Sequence, residues 1–407
     1  MRILALTVGG SPKPVIRSIK EQSPDKVVFF VTVEPRGGSK KFVVENTEEG
    51  ESIVGATKLT RDRYELVEIL SPDSLADTFQ AIYSKLKAIS SEHPGAEKIA
   101  DYTGGTKTMS VSLALAALRL GWTLSLVTGM RADTEKVLDG TELVERLSLG
   151  DLKFEDVLEE AGYLFDLRNY EGADEALSWF SREFPLSAGI QKRLNLAITL
   201  VRGFAAWDRF EHEKALALLR PCARFCVDNV RFLWEIVEGK SSGYAKVWDL
   251  IRNAERRAER GQYDDGVMRL YRAVELLAQY RLKERYGLDT GDLDPQKIPE
   301  PLRKELLARA VGKRVTAGLV DSFRILSALG DPLGELYSQG WEEKLKDVQG
   351  RRNQSVLAHG LEPIGKEEWD RCHSIVSAFV KEALDRLGKR IPAPQFPKWE
   401  KVFPSAL

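Results

Sequence analysis

The sequence predicts an α/β plus all-α protein: a Rossmann-like, doubly wound sheet over residues 1–150, then helices almost to the end of a 407-residue chain. Three observations predict it. Continuous apolar runs alternate with amphipathic stretches near the N-terminus, as in parallel strands joined by helices. Strand signals fade from about Asp151 onward. The length exceeds what one core ordinarily holds, which suggests two or three domains. The expected division is 1–150 for the sheet domain, 151–240 for a helical connector and 241–407 for a helical bundle.

The elements follow in order. "RILALTV" and "KVVFFVTV" are continuous apolar runs, as expected for strands covered on both faces. "SLADTFQAIYSKLKAI" repeats apolar residues at helical spacing: Leu75, Phe79, Ile82, Leu86 and Ile89. "KIADYTG" reads as a strand, "MSVSLALAALRL" as a buried helix and "WTLSLVTG" as a further strand. "VLDGTEL" carries an Asp-Gly turn and predicts a small hairpin. Beyond Asp151, "NYEGADEALSWF", "RFEHEKALALL" and "QYDDGVMRLYRAVELL" share a loose pattern led by Tyr170, Phe210 and Tyr263. Their irregular spacing predicts paired antiparallel helices rather than a solenoid. A loop rich in Asp, Pro and Gly, 287–301, separates two helical blocks. The tail "RIPAPQFPKWEKVFP" is expected to lie extended over the surface.

Composition narrows the classes. The chain is 43% hydrophobic and 30% charged, with 60 basic against 61 acidic residues. No global charge points to nucleic acid or a membrane, although a local basic patch is still allowed. The three cysteines, Cys222, Cys226 and Cys372, argue for a reducing compartment rather than a disulfide framework. Cys222 and Cys226 read as buried thiols, and no metal site is expected. The apolar stretch Ser110–Met130 is interrupted by Arg119 and Gly121, and reads as a buried helix and strand rather than a membrane span. A cytoplasmic protein is the expectation.

Two strand-end loops carry paired glycines: "TVGGSPKPVI" with Gly9, Gly10 and Ser11, and "DYTGGTKTMS" with Gly104, Gly105, Thr106 and Lys107. Paired glycines let the backbone approach a ligand, successive N–H groups form an anion-holding concavity, and a following helix adds its N-terminal dipole. Neither loop is a Walker A or a dinucleotide fingerprint. Each alone is equally a tight strand-to-helix turn with no ligand. Thr103, Thr106 and Thr108 offer hydroxyls. Pro12 and Pro14 are expected to obstruct an immediate helix, with Pro14 able to take a first helical position.

A third feature lies in "WEEKLKDVQGRRNQSVLAH". Trp341, Leu345 and Val348 define an apolar helical stripe. Continued, it meets Arg352 and then His359, with Asn353 adjacent. On one helix the seven-residue step puts Arg352 and His359 within ~20° of each other and roughly 10 Å apart. Histidine moves protons near neutral pH, and arginine holds a phosphate bidentately. That set suits RNA cleavage by the substrate's own 2′-OH. A helix end whose dipole favours a histidine explains the same residues. An apolar stripe interrupted by Arg and His also suits a two-fold seam.

In combination the chain resembles the CRISPR-associated CARF–HEPN ribonucleases, ancillary effectors of type III systems. "LTVGGSPKPVIRSI", "DYTGGTKTMS" and "RRNQSVLAHG" carry the resemblance, and "RLYRAVELLAQYRL" resembles an early HEPN helix. The resemblance spans both ends, and the middle matches loosely. It implies an N-terminal CARF sheet that dimerises and binds a cyclic oligoadenylate, the tetra-adenylate favoured over the hexa-adenylate. It also implies a C-terminal HEPN bundle that cuts single-stranded RNA without metal, leaving a 2′,3′-cyclic phosphate. No cofactor is implied. Arg352, Asn353 and His359 carry over as catalytic residues; the Arg-Asn order favours Arg352 over Arg351. Gly9, Gly10, Ser11, Gly104, Gly105, Thr106 and Lys107 carry over as activator contacts. Some CARF domains degrade their activator slowly, with Ser11, Thr106 and Lys107 as plausible participants. Two other readings stay open: a ligand-sensing regulator whose helical half binds a partner, and a nucleotide-processing N-terminal domain on a helical scaffold.

Overall fold

The structure, a computed structural model, describes residues 1–33, 38–48, 50–128, 143–147, 149–309, 314–358 and 360–403, with 143–147 and 149 described by backbone only. The Asp139-Gly140 turn and His359 lie outside the described residues. The chain forms two compact units.

The first unit comprises Met1–Glu155 and Phe180–Gln191. Its elements run β1 (Arg2–Thr7), α1 (Pro12–Gln22), β2 (Lys26–Thr32), the short α2 (Lys40–Val44) and α3 (Ile53–Thr57), β3 (Tyr64–Ile69), α4 (Leu75–Glu92), β4 (Glu97–Asp101), α5 (Lys107–Leu120), β5 (Thr123–Thr128) and β6 (Leu143–Leu147). The sheet order is β3-β2-β1-β4-β5-β6, parallel except for β6, which runs antiparallel to β5. Alternation explains the continuous apolar run of β1. Ile3 and Ala5 face one core with α4 and α5, while Leu4 and Leu6 face another with Val15 and Ile19 of α1. Strand order reverses between β1 and β4, the topological switch point where open α/β sheets take ligands.

β3 was not expected as a strand. It is an edge, and Glu65 and Glu68 interrupt its apolar residues; they pair with Lys85 of α4 and Lys40 of α2. Charged edges guard against strand addition, and the same charges hide the strand from pattern reading. α1 starts directly at Pro12, contrary to the expected obstruction. The first N–H groups of a helix have no intrahelical acceptor, so prolines there remove nothing the helix needs.

The second unit comprises Asp156–Trp179 and Lys192–Leu407. It takes in most of α6 (Leu149–Asp166) and α7 (Tyr170–Glu183), nearly all of α8 (Ala188–Asp208), and all of α9 (His212–Leu219) and α10 (Val227–Val237). α11 (Ser242–Glu259), α12 (Tyr263–Tyr286), α13 (Leu302–Ala308), α14 (Leu319–Ala328), α15 (Pro332–Leu336), α16 (Glu342–Gln354), α17 (Lys366–Arg386) and α18 (Trp399–Val402) follow. α11, α12, α14, α16 and α17 share one apolar core that includes Val267, Leu277, Phe323, Leu345, Val348 and Phe379. Residues 192–240 belong to this same unit. Buried Asp208 accepts from Arg256 Nε at 2.7 Å, Arg257 Nη2 at 2.5 Å and Asn253 Nδ2 at 2.9 Å. Such a cluster holds only with its partners in place, because a buried charge left alone is costly. Cys222 and Cys226 are buried thiols, and burial pushes Cys226 up to about 11.

The tail is extended only as far as Lys398, where α18 follows, and it does not simply lie over the surface. Phe396 is buried, its ring centroid 4.8 Å from that of Trp207 and 5.0 Å from that of Phe204. Gln395 Nε2 donates to the Arg252 carbonyl at 2.9 Å, and Val402 and Phe403 are buried too. Prolines keep the tail extended, but its aromatic side chains carry enough apolar area to require burial.

Candidate functional sites at the sheet switch point and the end of α16

The first site is built by main chain. Leu6 of β1 lies opposite Asp101 of β4, so the loops after both strands leave the sheet side by side. They touch through glycines. A Cβ on Gly104 would stand 2.4 Å from the Thr7 carbonyl oxygen, and one on Gly9 would stand 2.8 Å from the Gly105 nitrogen. Gly105 also has φ +86°, which favours glycine. Thr7 Oγ1 donates to the Gly104 carbonyl at 2.6 Å, and Ser110 Oγ donates to the same oxygen at 2.8 Å. Neither α1 nor α5 has an acidic residue in its first turn, so both positive helix ends stay uncompensated there.

The expected contact residues divide. Gly9, Gly104 and Gly105 form the junction between the loops. Gly10 and Ser11 are exposed just before α1, and Lys107 is exposed at the first position of α5, without an ion pair among the described residues. The Thr106 hydroxyl is engaged within the protein: it donates to the Pro72 carbonyl at 3.1 Å and accepts the Met109 N–H at 3.2 Å, capping α5. Thr103 Oγ1 likewise accepts the Val127 N–H at 2.8 Å.

Asp101 is the residue that sequence reasoning quoted but did not assign. It is 1% exposed. Oδ1 accepts the Thr103 N–H at 3.0 Å; Oδ2 accepts from Ser18 of α1 at 2.6 Å and from Ser125 of β5 at 3.2 Å. One carboxylate thus ties the second loop to the helix that follows the first. Burial pushes its pKa up, against the hydrogen bonds from Ser18, Thr103 and Ser125 that pull it down. An Asp two residues before the first threonine of the loop is the signal that was available.

The second site is built by side chains. Leu345 and Val348 are buried as the stripe predicts, and Trp341 packs on Phe379 with ring centroids 5.4 Å apart. The helix does not continue to His359. α16 ends at Gln354, and Ser355 is extended and fully buried. The chain then folds back: the Gly360 N–H donates to the Ser355 carbonyl at 3.2 Å, and the Glu362 N–H donates to the Gln354 carbonyl at 3.3 Å. A Cβ on Gly360 would stand 1.8 Å from that same Gln354 oxygen, so the reversal needs glycine there. The helix expected to carry both Arg352 and His359 thus ends at Gln354, and position 359 lies outside the described residues. Arg352 and Asn353 remain together in the last turn, with Arg352 Nη1 donating to Asn353 Oδ1 at 3.0 Å. The apolar residues beyond the turn face outward, Leu361 being 88% exposed.

Residues 238–383 match the family described as the Csm6 HEPN domain. That segment is similar in sequence to the Csm6 HEPN domain. It contains Arg352, Asn353 and position 359. Over the whole chain the fold is that of Csm6. The Enterococcus italicus Csm6 bound to cyclic hexa-2′-fluoro-hexa-dAMP superposes with a TM-score of 0.68 at 14% identity, covering 99% of this chain and 97% of the other. The superposition takes in both the N-terminal sheet and the C-terminal helices. Can2 from Sulfobacillus thermosulfidooxidans, in complex with cyclic tetra-adenylate, aligns over 55% of this chain and 68% of its own at 15% identity, with a TM-score of 0.25 that carries no argument. Comparison with curated protein sequences gives no match. No helix among the described residues is long and apolar enough to cross a membrane, and no described group of three or more His, Cys, Asp or Glu could hold a metal ion.

Proposed function

We propose that the chain is a cyclic-oligoadenylate-activated endoribonuclease of type III CRISPR defence that cuts single-stranded RNA as a homodimer without metal. The observation that carries this reading is the HEPN match over 238–383, which encloses an arginine with no carboxylate partner among the described residues. Arg352 holds the scissile phosphate and stabilises the charge on its equatorial oxygens; Asn353 orients the guanidinium by accepting from it. His359 takes the proton of the 2′-OH as that oxygen attacks phosphorus. The P–O5′ bond breaks, the proton passes to the departing 5′ oxygen, and a 2′,3′-cyclic phosphate remains. Exposed Val356, Leu357 and Leu361 are what a second copy would cover.

The activator reading rests on the loops at the switch point. Gly9, Gly10, Gly104, Gly105 and Thr106 would offer backbone to the phosphates, and Lys107 a charge. Ser11 is exposed where it could position a ribose hydroxyl of the ring, the arrangement that slow activator cleavage requires.

The test is cleavage of a fluorescent single-stranded RNA in EDTA, with cyclic tetra-adenylate or hexa-adenylate, by wild type and His359→Ala. Activated cleavage by wild type alone supports the reading, and the more potent ring sets its size. Cleavage that needs added metal, or that survives His359→Ala, overturns it. Chromatography of the ring from the same reactions reads activator turnover.

A further inference from the structure

Arg351 and Arg352 stand side by side at the end of α16, about 100° apart around the helix. Their surroundings differ. Arg351 Nη1 lies 2.6 Å from Glu368 Oε1 at the start of α17, so its charge is paired. Arg352 makes no ion pair among the described residues. Its guanidinium carbon lies 5.2 Å from the ring centroid of Tyr271 on α12, and its Nε is buried with no hydrogen-bond partner among the described residues.

We propose that the ring of Tyr271 is the positioning residue for Arg352, holding the guanidinium by its π face while leaving the charge free for a phosphate. The inference rests on the reading of Arg352 as the phosphate-holding group. The choice of an aromatic partner has a physical reason. A carboxylate would hold the guanidinium more tightly but would compete with the phosphate as a second anion, as Glu368 does for Arg351. An aliphatic side chain would exclude water without orienting the charge. A ring attracts the cation through its quadrupole and leaves the N–H edges available. The phenol itself stays protonated near neutral pH, because burial and Glu275 raise its pKa more than Arg352 and Arg272 lower it. The role therefore belongs to the ring, not the hydroxyl.

The experiment measures activated RNA cleavage by the full chain carrying Tyr271→Phe, Tyr271→Leu or Arg352→Ala, with activator binding and circular dichroism as independent reports of folding. Tyr271→Phe is expected to keep kcat within about twofold, and Tyr271→Leu to lower it about tenfold, the scale of one desolvated cation–π contact. KM for RNA and activator affinity are expected to stay unchanged. If Tyr271→Leu fails to fold, Tyr271→Met takes its place with the same expectation. Wild-type kcat in the Leu or Met chain overturns the proposal, as does a Phe chain impaired as deeply as Leu. Full activity of Arg352→Ala sinks the assignment of the site itself, an outcome separate from either of these.

Discussion

The loops at the switch point and the last turn of α16 are both read as phosphate sites, and they are built by opposite means. The loops use backbone. Their geometry is set by the register of β1 on β4, by glycines that admit no Cβ, and by one buried carboxylate beneath. The end of α16 uses side chains whose reach depends on where the helix stops and how the chain folds back. A backbone site is fixed once the sheet forms. A side-chain site stays adjustable, because small movements of a helix end redirect its charges. Under the proposed function, that contrast suits a sensor that holds a ligand and a reacting centre that must be switched.

The contrast predicts different failures. The largest effect is expected from Arg352→Ala: a loss of ~10²–10³ in kcat, the range for removing one charge-stabilising donor, with activator affinity unchanged by calorimetry. Equal losses of binding and turnover would break the comparison. Next comes Gly104→Ala, whose new Cβ would meet the Thr7 carbonyl oxygen at 2.4 Å. It should weaken activator binding at least tenfold and lower unfolding free energy by about 1–3 kcal/mol, read by denaturant titration. Cleavage should return at saturating activator if the two sites are separately built.

A smaller effect is expected at Asp101, and its sign follows from burial. The folded pKa lies above the ordinary 3.8, so the folded state holds the proton more tightly than the unfolded chain. The stability this contributes is present below 3.8 and is lost as pH rises through the folded value. Asp101→Asn removes the titration. Its midpoint relative to wild type should therefore rise as the pH increases above 3.8, and a difference that stays flat would count against a buried, raised carboxyl. Gly10→Ala should do least. Nothing lies within 4 Å of a Cβ there, so stability should stay within about 0.5 kcal/mol of wild type. A loss as large as that of Gly104→Ala would show that Gly10 serves the loop through conformation rather than space.

Much of this was written in local pattern. The runs at β1 and β2, the glycine pairs, and the stripe of Leu345 and Val348 were readable because their signals are local: apolar periodicity and residues that permit rare backbone. β3 was not readable, because an edge strand carries charges for reasons of association. Burial of Phe396 was not readable either, since a proline-rich tail shows its aromatic anchors only once Trp207 and Phe204 provide a pocket. The end of α16 was misjudged because helical spacing persists in sequence after the helix has stopped.

By itself the sequence determined the α/β and all-α parts, the two loops, and the Arg-Asn pair with its HEPN resemblance. These depend on interactions within a few residues, which a single chain segment encodes. Only the tertiary structure decided that both loops meet at the reversal of strand order, that Asp101 braces them, that Glu368 occupies Arg351 and Tyr271 faces Arg352, and that the chain turns at Ser355. Those facts depend on strand order, helix packing and burial between residues up to about a hundred apart, where no local periodicity carries the information.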